Sequence, residues 1–309
     1  MAALDNIFKP TPGMRPQTAC EIRPEGVVAA RAAAEKRGAG EPLMAFEALA
    51  DGALVPGLKI PNLTHRDAVV AAINQALSAV DPSSRDVTVV IPDAAARVLL
   101  LDFDTLPPKA QDAFPVVRFR LRKMVPFDVE SAAVSYQVMA RKNDQVSVLV
   151  TVMPGEVRAE YESAVREAGY EPGAVLPSTL AAAAALSSEG APLIINHIHT
   201  SVTTAVTQGD EMLLHRSIDL PAEPGAQDEE IARAVITTLA WYEDTLRATP
   251  AMLYYAGPGG AAAAAASRWL GFVDRAPHVE DLVPAPATAI MTSIPAGITA
   301  GVTGALARG

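Results

Sequence analysis

Apolar and polar positions alternate with period two in several short runs and recur every three to four residues in others, the mark of a mixed α/β chain. Thr18 to Ala30 holds a short strand, a turn at Pro24-Glu25-Gly26 and a return strand from Val27. Leu43 to Val55 reads as a third, weaker strand, and Pro56-Gly57 and Pro61-Asn62 punctuate the loop after it. Thr64 is placed to cap a helix through Val80, with Val69, Ala72, Ile73, Leu77 and Val80 at helical spacing. Asp86 to Ile91 is a near-continuous apolar run, as in strands buried on both faces. Arg97 to Phe103 is another strand, ended by Pro107-Pro108.

A helix follows to about Met124, with Ala110, Ala113, Phe114, Val117, Leu121 and Met124 as its apolar stripe. Pro115 suits only a first turn, which predicts a regular helix starting near Asp112. Val134 to Ala140 and Gln145 to Val152 alternate across Asn143-Asp144, a hairpin pattern. Pro154 opens a helix carrying Val157, Tyr161 and Val165, with Gly169 placed to close it. Val175-Leu176 is strand material, and Ser178 to Leu186 an alanine-rich helix closed by Ser187-Ser188-Glu189-Gly190.

A second unit begins at Pro192. One strand run reaches Ala205 and pairs with Glu211 to Ile218 across Gly209-Asp210. A helix runs from Gln227-Asp228-Glu229-Glu230 to about Arg247, its acidic start matched to the helix dipole. Met252 to Ala256 is a short strand ending at Gly257-Pro258-Gly259-Gly260. Ala261 to Leu270 is helical, and Gly271 to Asp274 starts a short strand. Pro295 to Ala307 is weakly helical, with Gly297, Gly301 and Gly304 on a small-residue face. Two α/β units, each opening on a hairpin near residues 18 and 192, suggest a duplicated fold. That order fits the half-domain of the actin and ribonuclease-H-like architecture, although periodicity alone leaves other α/β arrangements open.

Composition narrows the function classes. The chain has 309 residues, enough for two domains, and a net charge of −10, which argues against nucleic acid as the main partner. Cys20 is the only cysteine, so no disulfide framework or cysteine zinc site is available, and a small buried strand residue is its expected role. The N-terminus lacks a secretory apolar core, and no run approaches the ~18 apolar residues of a membrane span. A cytosolic chain that reaches a membrane only through a partner is expected. Residues 1–16 read as a flexible tail, in which Leu4, Ile7 and Phe8 are a weak docking candidate.

The segment 86–139 carries a resemblance. It reads Val-Thr-Val-Val-Ile-Pro-Asp, then Leu-Asp-Phe-Asp-Thr-Leu-Pro, then a basic helix Arg118-Phe-Arg-Leu-Arg-Lys123, then Pro126-Phe-Asp128 and Tyr136-Gln-Val138. From Thr18 onward the chain resembles the PilM family of type IV pilus assembly proteins and, more distantly, FtsA. The resemblance implies an actin-like, duplicated ribonuclease-H-like fold with an inserted subdomain at about 86–153, in a domain I spanning 17–190. Domain II would span 191–309. It implies a scaffold of a membrane-bound machine, with other pilus motor and platform proteins as further partners. The family's known partner is the short cytoplasmic N-terminal peptide of PilN, an inner-membrane protein, lying in a groove between the inserted subdomain and the core of domain I. Arg118, Phe119, Arg122 and Phe127 then become candidate partner-binding residues, against the plainer reading of a solvated charged face.

The fold also implies a nucleotide site, with phosphates held between two glycine-containing hairpins that carry acids for Mg²⁺. Here the first hairpin reads Cys20-Glu21-Ile22-Arg23-Pro24-Glu25-Gly26. Glu21 keeps an acid, but Pro24 removes an N–H donor. The second reads Ile195-Asn196-His197-Ile198-His199-Thr200, with Asn196 in place of the acid. The helix after Pro177 opens Ser178-Thr179 without an acid to orient water. Gly257, Gly259 and Gly260 still resemble the family's adenosine-side loop. Glu21, Asn196 and these glycines are therefore the candidate cofactor residues of a degenerate site. No catalytic residue is assigned, and no cofactor is expected. His197 and His199 share one side of a strand but have no third metal ligand nearby, so a metal is not expected either. Asp93, Asp102 and Asp104 are assigned solvated or turn roles. The alternatives are an ATP/Mg-binding switch of the pilus machine and the related cytoplasmic component of a type II secretion platform. The latter normally continues into a membrane helix, which is absent from this sequence.

Overall fold

The computed structural model describes residues 16–33, 41–142, 145–186, 190–284, 289–290 and 294–307. The tail cluster Leu4, Ile7 and Phe8, the turn Asn143-Asp144 and the helix closure at 187–189 lie outside the described residues.

Strands β1 (Thr18–Arg23), β2 (Gly26–Arg31) and β3 (Leu43–Ala48) form an antiparallel meander. The third stops well short of Val55, because Asp51-Gly52 turns the chain. Helix α1 (Arg66–Ala79) buries Val69, Ala72, Ile73, Ala76 and Leu77. β4 (Asp86–Ile91) then lies parallel beside β1, and β8 (Glu171–Pro177) parallel beside β4. β4 therefore belongs to this sheet. The inserted unit starts after it, near Arg97, and not at residue 86. The cause is hydrophobic: Val87 to Ile91 are buried on both faces, which only a central sheet position provides.

The insert comprises β5 (Arg97–Phe103), α2 (Ala110–Leu121), β6 (Ala133–Lys142) and β7 (Gln145–Met153), with antiparallel strand order β5-β7-β6. Ala113, Val117 and Leu121 of α2 pack on one face of this sheet. The helix starts two residues before Asp112 and holds Pro115 inside it, since burial of that stripe outweighs the lost backbone bond. It ends at Leu121, which leaves Met124 outside the expected stripe and 45% exposed. Helix α3 (Gly155–Glu167) returns the chain to β8 and, with α1, covers one face of the first sheet. Helix α4 (Ser178–Ala183) lies on the other face.

The second sheet repeats the plan. β9 (Leu193–Ile198), β10 (Ser201–Gln208) and β11 (Glu211–Asp219) are an antiparallel meander. The run expected as one strand to Ala205 is two, folded at His199-Thr200. Helix α5 (Pro224–Leu246) precedes β12 (Met252–Ala256), which lies parallel to β9. After α6 (Gly260–Ala266), residues Arg268–Phe272 form a 3-10 turn that buries Trp269. The last strand of this sheet is β13 (His278–Asp281), not 271–274. Strands β1, β2, β3, β4 and β8 of the first sheet and the five strands of the second thus both run third-second-first-fourth-fifth in their own chain order.

The chain's end crosses back. β14 (Ala289–Ile290) pairs with β3, and α7 (Ala300–Leu306) packs on α4 and β1. Residues from 289 on therefore join the first sheet's lobe, although a domain at 191–309 was expected to hold them. Ile298, Val302 and Ala305 share a core with Ala19 and Val28. Small residues permit the approach, since a Cβ on Gly304 would lie 1.8 Å from the Ala181 carbonyl oxygen.

Candidate functional site

The two hairpins meet at their tips. Alternation along β1 puts Cys20 and Ile22 into the core under α1. Ala19, Glu21 and Arg23 take the opposite face, toward α4, α7 and the second lobe. The β1–β2 turn has only two residues, Pro24 and Glu25, between Arg23 and Gly26. Arg23 is 1% exposed. Its guanidinium donates to Glu21 Oε1 at 3.1 Å, to Glu25 Oε2 at 3.3 Å and to the His197 carbonyl at 3.5 Å. Glu25 Oε1 in turn accepts the His199 backbone N–H at 3.1 Å. That N–H belongs to the β9–β10 turn, where His199 is held at φ 44°.

Glu21 is fully buried. Its Oε1 also accepts the Ser178 hydroxyl at 2.7 Å, while Oε2 has no partner among the described residues. That oxygen lies beneath Gly301, where a Cβ would come within 2.4 Å. Burial pushes the Glu21 carboxyl above the usual carboxylate range, against the pull of Arg23 and Ser178. His197 sits beside the tip with Nδ1 3.0 Å from the Tyr255 hydroxyl, and burial lowers its pKa. Cys20 is buried, and its thiol is pushed up by burial and then by Glu21.

A second buried cluster lies deeper. Asp93 follows β4 in a short 3-10 turn and is 3% exposed. Of the solvated or turn role expected for it, the turn is there but the solvation is not: it is buried and anchors three elements. Its carboxylate accepts the Thr179 N–H at 3.2 Å, the Thr179 hydroxyl, and the Thr203 hydroxyl at 3.1 Å. One end of the Asn196 amide lies 3.0 Å from Ser178 Oγ and 2.9 Å from Thr179 Oγ1. With its oxygen at that end, accepting also from the Thr179 N–H, its NH2 donates to the Ala256 carbonyl at 3.2 Å and both ends are satisfied. The cluster ties the end of β4 to α4, β9 and β10. Asp102 and Asp104 are exposed, with Asp102 accepting the Ser147 hydroxyl at 2.6 Å.

The glycine loop is covered. Gly260 N–H bonds the Gly257 carbonyl at 3.0 Å, and Ala261 N–H bonds Asp281 Oδ1 at 2.7 Å. The backbone of Gly297 lies directly on this loop: a Cβ there would be 1.9 Å from the Gly257 oxygen and 2.8 Å from Gly260 Cα. The structure thus brings Glu21 and Asn196 to one cleft, bridged by Ser178, and sets Gly257 and Gly260 under residue 297, while Gly259 stays exposed.

A magnesium-nucleotide does not fit these residues. The hairpin tips are hydrogen-bonded to each other, the cation between them is a guanidinium, and the adenosine-side loop carries a covering segment. No group of three metal-ligating side chains occurs among the described residues.

On the insert, the candidate partner residues separate. Arg118 and Arg122 both pair with Glu130, and Arg118 also donates to the Ala132 carbonyl at 3.2 Å. Phe127 packs, half-buried, against the insert core. Phe119 is 66% exposed with the Arg122 guanidinium 5.8 Å from its ring centre. Gln137 was not foreseen. It pairs with Leu149 across β6 and β7, on the face that meets α4 and the second lobe. It is 6% exposed, and neither end of its amide has a partner among the described residues.

No family model matches the chain, and no curated protein sequence matches it. Solved structures do. A chain of the PilM–PilN type IV pilus biogenesis complex superposes with a TM-score of 0.72 at 16% identity, covering 95% of this chain and 98% of that one. The cytoplasmic domain of EpsL, an inner-membrane component of the Vibrio cholerae type II secretion system, gives 0.48 at 13% identity over 94% and 92%. A Bacteroides thetaiotaomicron protein of actin-like ATPase fold and unknown function gives 0.45 at 12% over 79% and 86%. The first likeness shows a shared fold, and the chain is a mixed α/β protein of the actin-like class. The other two are too loose to carry an argument. No helix among the described residues is long and apolar enough to cross a membrane.

Proposed function

We propose that this chain is a cytoplasmic, PilM-like scaffold of a type IV pilus machine that captures the N-terminal cytoplasmic peptide of a PilN-like inner-membrane protein. It reaches the membrane, and other motor and platform proteins, through such partners. The observation that carries the reading is the superposition over nearly the whole length of both chains.

Local chemistry supports it. The α2 side of the insert carries Phe119 exposed, and Arg118 and Arg122 beside an exchangeable surface carboxylate, Glu130. A carboxylate of an incoming peptide can take the place of Glu130 on these guanidiniums. The half-buried Phe127 packs on the same insert core.

Calorimetric titration with a synthetic N-terminal cytoplasmic peptide of a PilN-like bitopic membrane protein tests this. Saturable one-to-one binding is expected, weakened at least tenfold by Phe119→Ser or by Arg118→Glu with Arg122→Glu. A silent titration with the folded protein, or affinity untouched by these variants, overturns the assignment.

A further inference from the structure

The tips of the two hairpins are joined by the chain's own charges. In an actin-like fold these tips face each other across the cleft between lobes, and a bound nucleotide lies between them. Here Arg23 leaves the first hairpin, is gripped by Glu21 and Glu25, and reaches the His197 carbonyl of the second. Glu25 takes the His199 N–H, a donor of the kind a phosphate would need. Pro24 offers none. At the other end, Gly297 seats its backbone on Gly257 and Gly260.

We propose that this chain fills its own inter-lobe cleft: Arg23, with Glu21 and Glu25, replaces magnesium-nucleotide as the link between the lobes, and the segment around Gly297 covers the adenosine side. Together with the Asp93–Thr203 and Asn196–Ser178 contacts deeper in the cleft, this latches the lobes shut by default. The charge logic is inverted relative to a nucleotide site. There, an anionic phosphate bridges backbone donors and a cation; here, a side-chain cation bridges two carboxylates and a backbone carbonyl. The arrangement is built for permanence, because a buried guanidinium stays protonated and its partners are fixed by strand pairing. The inference stands on the hairpin geometry and does not need the peptide assignment.

Spin labels at Asp67→Cys on α1 and Glu243→Cys on α5, both exposed positions, report the separation of the lobes by pulsed electron resonance. Cys20 is buried and stays in place. One narrow distance is expected, unchanged by millimolar Mg-ATP, with no saturable heat in a parallel titration. Glu25→Ala removes the link to His199 while leaving the Glu21–Arg23 pair, so it should fold, and its distance distribution should broaden or lengthen. Arg23→Ala combined with Glu21→Gln should broaden it further. Three results each overturn the proposal: saturable Mg-ATP binding by the unmodified protein, a distance that shifts on adding Mg-ATP, or a distribution identical to the parent in both Glu25→Ala and the double variant, since Glu25→Ala alone leaves Arg23 on the His197 carbonyl. Should the double variant fail to fold, the two Mg-ATP measurements decide.

Discussion

Replacing Arg23 by Met leaves Glu21 buried without its counter-charge. The side chains are 2% and 0% exposed and 3.1 Å apart, so solvent does little to screen the loss. Breaking a buried pair on one side costs about 3–5 kcal/mol. A second route bounds the figure. The stranded carboxylate escapes by taking a proton, and protonating an acid of ordinary pKa near 4.3 at pH 7 costs about 3.7 kcal/mol, at 1.36 kcal/mol per pH unit. Burial already raises the Glu21 carboxyl in the parent, so the second figure is an upper limit, and the cost should fall at or below roughly 4 kcal/mol. The sign with pH follows. In the variant the folded pKa of Glu21 is raised further above its unfolded value. The folded state then binds the extra proton, and stability is recovered as pH falls toward the unfolded pKa. By pH 5 the deficit shrinks to about 1 kcal/mol. Urea unfolding of parent, Arg23→Met, Glu21→Gln and the double variant at pH 7 and 5 measures this. The double variant should recover most of the loss. As a control, the exposed Lys142–Glu211 pair, 69% and 28% exposed, should be worth under about 1 kcal/mol. An Arg23→Met cost as small as that control, or one that grows on acidification, refutes the reasoning.

Other outcomes follow from single atoms. Gly304→Ala drives a Cβ to 1.8 Å from the Ala181 carbonyl and should destabilise by more than about 2 kcal/mol, whereas Gly225→Ala meets nothing within 4 Å and should be neutral or stabilising by up to about 1 kcal/mol in thermal melts. His215 Nε2 is sealed from solvent without a partner among the described residues, and burial lowers its pKa against the opposing field of Asp93. Its folded pKa lies below the unfolded one, so stability is lost as pH falls below about 6.5. His215→Gln should therefore lose less stability between pH 7.5 and 5.5 than the parent, by urea unfolding. Gln137→Leu removes an unpaired buried amide, so it should hold or raise the melting temperature in thermal melts, and a clear fall would show that the amide has a partner.

How much of this was legible depends on range. Period-two and helical patterns locate the meander at residues 18–31, the insert hairpin and α5, because local burial decides those elements. The fold between His199 and Thr200 is hidden, since neither residue is a strong turn former, and His199 adopts its left-handed backbone only in place. β13 is hidden for another reason. Trp269 is drawn into the second core, which turns 268–272 into a 3-10 element and displaces the strand beyond it.

The site shows the same limit more sharply. Glu21 and Asn196 are nameable because the resemblance puts them at hairpin positions where it expects acids. Arg23, Asp93, Thr179 and Thr203 become one region only through contacts 86 to 174 residues apart along the chain. A charged residue in sequence reads as surface, since burying it alone is prohibitive. The available hint was positional: Asp93 follows the carboxyl end of a central parallel strand, where open α/β sheets place their crevices. What no pattern supplies is the mutual compensation. Arg23 is tolerable inside only because Glu21 and Glu25 are there, and Glu21 only because Ser178 and Arg23 meet it. On the proposed reading, the residues that stand where a phosphate loop was expected are the ones that make the cleft a polar core. Replacing Arg23 alone with glycine would therefore open no phosphate site, since Pro24 still lacks an N–H and Glu25 still holds the His199 N–H.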